Sequence, residues 1–360
     1  MTQYKYICAD LVTDEVIAEV PFFGVNLNKI ISSGADGTFS INLDNGILPN
    51  IDTLAATEPW HIVVYPDKDG ELLGGWFITS RTYQSQAKVL SLTARTLESI
   101  ADLRDISTRF SRVNLEQRNI FCELWAALQA EDIYSNYGIL LPTDYPYSDQ
   151  VMQTSIVETW DYKVYGDEMR ALADTDTGFD WTIDVSYNGT DIQKKLRTGY
   201  PHLGQPLGDS SPIFEYPGAI RNYYWPESII GTGTHVTGIG AGEGASMLTH
   251  TEIDQIRLDA GYARMDLHVP FKGEQTLARL AARTRAEALK DVIPKSIPTI
   301  QVAGNQIGQF GLGDMSKLII KDCRFPGGLN AARRIVGWSI TPPASDSVEE
   351  ARVIFEGGDE

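Results

Sequence analysis

"GWFIT" occupies Gly75–Thr79, and "GWSIT" occupies Gly337–Thr341, near the other end of the chain. Trp, Ile and Thr suit a pleated, half-buried strand, so one shared pentapeptide could arise from composition alone. The flanks recur as well. Upstream of the first copy stands "HIVVYPD" (61–67), and upstream of the second stands "KLIIKDC" (317–323). Downstream come Ala87-Lys88-Val89-Leu90 and Ala351-Arg352-Val353-Ile354. Three matched strands in one order predict a duplicated strand-rich module, with helices and loops between the copies.

Outward from the first copy, residues 1–105 read as a tube-like antiparallel β-barrel. "YKYICADL" and "EVIAEVPF" pair around Thr13-Asp14. "GTFSINL", "WHIVVYPD", "LGGWFITSRTY" and "KVLSLTA" follow, parted by turn signals such as Asp69-Gly70. Residues 106–178 then change period and read as a helical, loop-rich insertion. Over Asn114–Glu131, Ile120, Phe121, Leu124, Trp125 and Leu128 fall on one helical face. A second helix is predicted in "GDEMRALADTDTG" (166–178), capped by Asp167 and stopped by Gly178. Residues 179–250 read as a strand-rich middle region, part of the second barrel, with a hairpin turning at Asn188-Gly189. Residues 251–300 hold loops and a helix from Gln275 to Val292, ended by Pro294. Its inward stripe is Leu277, Leu280, Ala281, Thr284, Ala288 and Leu289. Residues 301–360 supply the closing strands of the second barrel. The expected class is α+β, mainly β, with two tube-like antiparallel β-barrel modules in one chain.

A composition of 42% hydrophobic and 22% charged residues in 360 is that of a folded globular chain. The net charge of −18 divides as −6 over residues 1–100, −8 over 101–200 and −4 over 201–360, so it covers the body and not a tail. Such a surface repels nucleic acid and anionic lipid. It suits a wall that DNA slides past. Asp10, Asp14, Glu15 and Glu19 stand where a signal peptide needs an apolar core. No stretch approaches the roughly 18 apolar residues of a membrane span. Cys8, Cys122 and Cys323 are odd in number and far apart, which excludes a disulfide framework and a metal knuckle. They read as reduced thiols of a protein made in a cytoplasm.

"HVTGIGAGEGAS" (235–246) places glycine at 238, 240, 242 and 244. The spacing by twos does not fit the dinucleotide fingerprint, and no clear helical stripe follows. Alternate glycines clear one face of an extended segment, so Gly238, Gly240, Gly242 and Gly244 are candidates for a hinge or a subunit contact. His61, His202, His235, His250 and His268 lack zinc-ligand spacing. "GDSS" (208–211) sits in a Pro/Gly loop, and no GxSxG elbow occurs. Asp174, Asp176, Asp180 and Asp184 are the best candidates for paired acid/base work, but a half-buried strand and a helix end explain them as well. The residues therefore assign no catalytic, cofactor-binding or metal site. Aromatic loops at "YSNYG" (134–138), "YPYS" (145–148) and "RNYYWPES" (221–228) suit protein interfaces.

A wider pattern joins these pieces. "GGWFITSRTYQSQAKVLSLTARTLESIADLRDI" is followed by "GFDWTIDV", "LRTGYPHLGQP", "FEYPGAIRNYYWPES" and "THVTGIGAGEG". The last part is "GLGDMSKLIIKDCRFPGGLNAARRIVGWSITPPASDSVEE" with "VIFEGG". In order and length this resembles the tail hub, or minor tail, proteins of long-tailed siphovirus-type bacteriophages, and more distantly the baseplate hub of contractile tails. The resemblance implies a homotrimer at the distal tail tip, assembled in the host bacterial cytoplasm. Two tube-like modules in each of three chains would match a six-fold tube. It implies a distal tail protein, the tail tube, the tape measure protein and tail fibre or tip proteins as partners. DNA would pass at ejection without specific binding. Against richer members, the expectation is of a hub without an added lysozyme, peptidase or carbohydrate-binding domain and without a long C-terminal extension toward a spike. The competing expectations are a tail-associated cell-wall glycan hydrolase using carboxylates near Asp180, and a host-receptor-binding module using the aromatic loops.

Overall fold

A computed structural model of the chain describes residues 3–43, 52–148, 151–228, 233–290, 295–296, 298–303, 306–343 and 349–356. Its main element is a fourteen-stranded, largely antiparallel sheet, as the mainly β class requires. The strands follow from alternation. Asp36–Asn42 and Met315–Ile320 bury every second residue against a common core.

Two sets of strands make the sheet. In the first, Ile62–Lys68 lies between Tyr4–Asp10 and Trp76–Gln84. Val89–Thr96 then links Trp76–Gln84 to Asp36–Asn42, and Phe23–Ile30 lies beyond. In the second, Met315–Ile320 lies between Ile213–Tyr216 and Leu329–Thr341. Glu350–Phe355 links Leu329–Thr341 to Thr299–Ala303, and Ile220–Tyr224 lies beyond. Taken in chain order, corresponding strands have corresponding neighbours. One orientation differs: Tyr4–Asp10 is antiparallel to Ile62–Lys68, whereas Ile213–Tyr216 runs parallel to Met315–Ile320.

The sets do not close into two separate barrels. Leu27–Ile30 pairs antiparallel with Gly337–Ile340 and fuses them into one sheet. The outer edge of Phe23–Ile30, which closure of the first set would need, is taken by the second set. One hydrophobic core runs through the joint, including Leu27, Ile78, Phe214, Trp338, Ile340 and Phe355. Trp76 and Trp338 meet edge to face at 6.3 Å between ring centroids.

The expected downstream match also shifts. Lys88 sits in the turn with φ 53°, and the register places Arg95 opposite Phe77 and Ala94 opposite Ile78. Arg352 stands opposite Ser339 and Ala351 opposite Ile340. Ala94-Arg95, not Ala87-Lys88, is therefore the cross-strand counterpart of Ala351-Arg352.

A second core lies on the other face of the first set. It gathers α1 (Gln117–Ala130), α2 (Tyr165–Ala173) and the hairpin Asp180–Asn188 with Asp191–Gly199 against Val63, Tyr65 and Phe77. The five residues of the expected α1 stripe are all fully buried. The Glu116 carboxylate caps α1 by accepting from the Asn119 N–H at 3.0 Å. α2 starts earlier than expected, after Val164, so Asp167 lies in its first turn, where the helix dipole favours a carboxylate. Asp174 ends it. The hairpin turns on Gly189-Thr190, with only Gly189 at positive φ, 68°.

The third unit is a small sheet in which His235–Ile239 lies between Thr249–Ile253 and Asp266–Pro270. α3 (Gln255–Asp259) lies between two of its strands in sequence, and α4 (Leu277–Lys290) packs on the sheet. Leu280, Thr284 and Ala286 are the buried face of α4, while Leu277 and Leu289 are exposed. The expected span 179–250 thus contributes to three places: the helical core, the main sheet and this small sheet.

Trp338→Ala removes a large side chain from the joint and is expected to cost about 3–5 kcal/mol in urea unfolding, a loss that a surface tryptophan would not show.

Candidate functional site

The glycine run lies directly under α4. A Cβ on Gly238 would fall 2.0 Å from Thr284 Oγ1, and one on Gly240 would fall 3.0 Å from the Glu274 carbonyl and 3.1 Å from Leu280. The bare face therefore admits a helix of the same chain at close range. Gly242 (φ 110°) and Gly244 (φ 55°) shape the turn that follows.

That helix is fastened to the body by a buried ion cluster. Glu168 on α2, 1% exposed, accepts from Ser155 Oγ at 2.7 Å and Lys163 Nζ at 3.0 Å. Both terminal nitrogens of Arg279 on α4 reach its Oε1 at 3.3 Å. Arg279 Nε also lies 3.2 Å from Glu274, which pairs with Arg283 at 3.1 Å. The Arg283 guanidinium sits 4.4 Å above the Phe271 ring. Burial opposes ionisation of Glu168, but Arg279, Lys163 and the Ser155 hydroxyl outweigh it and hold its carboxyl below the usual range.

The candidate carboxylates are separated. Asp174, Asp176 and Asp180 line one cleft with Tyr200 and His202, whereas Asp184 lines another with Lys29, Arg197 and Trp338. Asp176, Asp180 and Asp184 each have a structural partner. Asp180 accepts from the Arg334 guanidinium and from the Leu203 N–H at 2.9 Å. Asp184 pairs with Arg197 at 3.0 Å, and Asp176 with Arg285 at 2.6 Å. Arg334 continues to Glu356 at 2.8 Å, so Asp180 belongs to a tie between the hairpin and the second strand set. Asp180 and Asp184 do not converge on one opening.

"GDSS" lies in an exposed turn. His61 pairs with Asp10 at 2.8 Å and His250 with Glu252 at 2.6 Å. Among the described residues, no group of three or more His, Cys, Asp or Glu side chains could hold a metal ion. None of the described helices is long and apolar enough to cross a membrane. The aromatic loops divide. Tyr147 is buried under Arg118, 3.7 Å from its ring, and Trp225 packs on Phe325 at 5.2 Å. Tyr134 and Tyr224 remain exposed. Trp160 and Tyr162, in "ETWDYKVYG" (158–166) outside those loops, are also exposed.

No protein-family model and no curated protein matches the chain. Solved structures do. The 43 kDa tail protein of prophage MuSo2 from Shewanella oneidensis aligns at TM-score 0.57 and 9% identity over 98% of both chains. A tail protein from Neisseria meningitidis MC58 aligns at 0.56 and 11% over 98% of this chain and 97% of that one. A prophage tail protein from Listeria monocytogenes EGD-e aligns at 0.50 and 12% over 97% of this chain and 94% of that one. At these identities the likeness is one of fold. The chain has the fold of phage and prophage tail proteins along nearly its whole length.

Glu168→Gln replaces the carboxylate that Arg279 and Lys163 share with a neutral amide, leaving Arg279 to Glu274 alone, and is expected to cost about 1–3 kcal/mol in denaturant unfolding. Because the folded carboxyl titrates below its unfolded value of about 4.3, its contribution is complete at neutral pH. That contribution is lost as pH falls through the folded value. The variant should therefore show a weaker acid-side decline in thermal stability than the parent.

Proposed function

We propose that this chain is a structural tail hub, a minor tail protein at the distal tail tip, acting as a homotrimer without catalysis of its own. The observation that carries the reading is the tail-protein fold shared over 97% or more of this chain with three solved structures. The two strand sets of matching connectivity support the trimer. Three chains offer six sets to a six-fold tube, and fewer would leave the symmetries unmatched. In this role the hub joins the tail tube and distal tail protein to three-fold fibre or tip proteins and surrounds the path of the tape measure protein and the DNA. A net charge of −18 suits a channel that must not hold the DNA it passes. The expected location is the virion tail, after assembly in the bacterial cytoplasm. The ties that hold Asp176, Asp180 and Asp184 favour this reading over a glycan hydrolase.

Light scattering of the purified protein should give three times the chain mass of 39.8 kDa. A monomer at concentrations well above micromolar would contradict the proposal. Incubated with host cell-wall glycan, the protein should release no sugar; release that Asp180→Asn abolishes would establish the hydrolase instead.

A further inference from the structure

The small α/β unit is joined to the rest of the chain at one covalent place. The chain leaves the main sheet after Ile220–Tyr224 and returns to it at Thr299–Ala303. On the way out and back, Glu227–Ser228 pairs antiparallel with Lys295–Ser296 in a two-stranded sheet of its own. Entry and exit therefore lie side by side, and residues 235–290 are carried beyond one narrow stalk. The unit also packs on itself. His235–Ile239, between its two neighbours, seats Leu280 and Thr284 of α4 against bare Gly238 and Gly240. Among the described residues, neither large hydrophobic core takes a side chain from 235–290.

Across the seam, α4 reaches the body through polar groups. Arg279 meets the Glu168 carboxylate and the Thr154 carbonyl, each at 3.3 Å. Arg285 pairs with Asp176 at 2.6 Å, and the Asp176 N–H donates to the Ala282 carbonyl at 3.3 Å. Two clefts of about 290 and 460 Å³ run along the same seam. One sets Asp167 and Arg170 of the body against Phe271 and Lys272 of the unit. The other sets Met152 and Ile156 against Gln275 and Ala278. Water thus reaches the seam between its polar ties.

A seam of this composition has two stable positions. A small slide of α4 along α2 would part Arg279 from Glu168 while both are still away from water, so intermediate positions are costly. Swinging the unit clear returns both groups to water, and the hydration regained offsets much of the attraction lost. With no shared apolar core to break, full opening costs far less than unfolding. We propose that residues 235–290 form a lid, latched to the body by Arg279 on Glu168 and Arg285 on Asp176, that swings as one body about the stalk of Glu227–Ser228 and Lys295–Ser296. Opening bares the edge of Met152–Val157, a strand that among the described residues pairs only with Phe110–Glu116 and whose Thr154 carbonyl Arg279 covers. An uncovered edge of this kind is a template for another strand. The lid is independent of the trimer reading.

Spin-label distances test it. Cys8 and Cys122 are buried and Cys323 is exposed, so the background is Cys323→Ser. Labels go on Ile256→Cys in the unit and Ile133→Cys in the body, both exposed positions. Labelled chains are diluted in unlabelled ones, so that only distances within one chain are read. Glu168→Gln with Asp176→Asn removes the body half of the latch and leaves the unit's own Arg279–Glu274 pair intact. The parent is expected to give one dominant distance. The double variant is expected to add a longer one and to raise its share about tenfold, the shift that losing one charge-assisted hydrogen bond brings. Hydrogen exchange should leave His235–Ile239 as protected in the variant as in the parent. A distance distribution unchanged from the parent overturns the lid. So does a longer distance accompanied by exchange throughout His235–Ile239, because the unit then unfolds and does not swing. If the body variant fails to fold, Arg279→Gln with Arg285→Gln opens the latch from the other side and is read by the same outcomes.

Discussion

Four residues on each side, Leu27–Ile30 and Gly337–Ile340, carry the joint on which the rest of the architecture depends. Each main-chain hydrogen bond across it adds about 0.5–1.5 kcal/mol net, so the ladder alone is modest. Burial reinforces it. Trp76 and Trp338 close the core beneath, and Lys29, which stands opposite Trp338, sends its ammonium to the Ile183 carbonyl at 2.8 Å. The same short stretch therefore registers the two strand sets and anchors the hairpin of the helical core. Glu349 adds a polar tie between the sets, accepting from Tyr4 and pairing with Lys68 at 3.1 Å.

The small α/β unit is attached by different means. Apolar contact seats α4 on its own sheet through the bare faces of Gly238 and Gly240. Charge then fixes α4 to α2, with Arg279 shared between Glu168 and Glu274. A buried ion network of this kind specifies one geometry, because displacing any member strands a charge away from water. The unit falls between Ile220–Tyr224 and Thr299–Ala303, where the first set has only a short connection between Phe23–Ile30 and Asp36–Asn42. It is thus an elaboration of the second set at the base of the open edge strand.

Local periodicity was the readable part of the fold. The α1 stripe from Ile120 to Leu128 and the alternation in Met315–Ile320 appear in the sequence because burial imposes them residue by residue. Register was not readable. Ala87-Lys88-Val89-Leu90 looks more like Ala351-Arg352-Val353-Ile354 than Ala94-Arg95 does, yet the turn ending at Lys88 sets the pairing. The α4 stripe was misread at its ends because its partner is a short glycine-bearing strand that covers only the middle of the helix. Asp180 and Asp184 share a strand face by alternation, but Asp180 pairs with Arg334, 154 residues away, and Asp184 with Arg197 on the adjacent hairpin strand, and they line separate clefts. The Glu168 cluster and the joint were invisible for the same reason: each unites segments more than a hundred residues apart.

The recurrence of "GWxIT" takes a definite form in the sheet: two strand sets of like connectivity, fused edge to edge at Leu27–Ile30 and Gly337–Ile340. Three chains of the proposed hub would bring six such sets together. Electron-microscope averages of the isolated oligomer test this most directly. The account predicts a three-fold ring around a central hole, with six similar lobes from the strand sets. A compact particle without a hole, or one whose lobes do not number six, would contradict it.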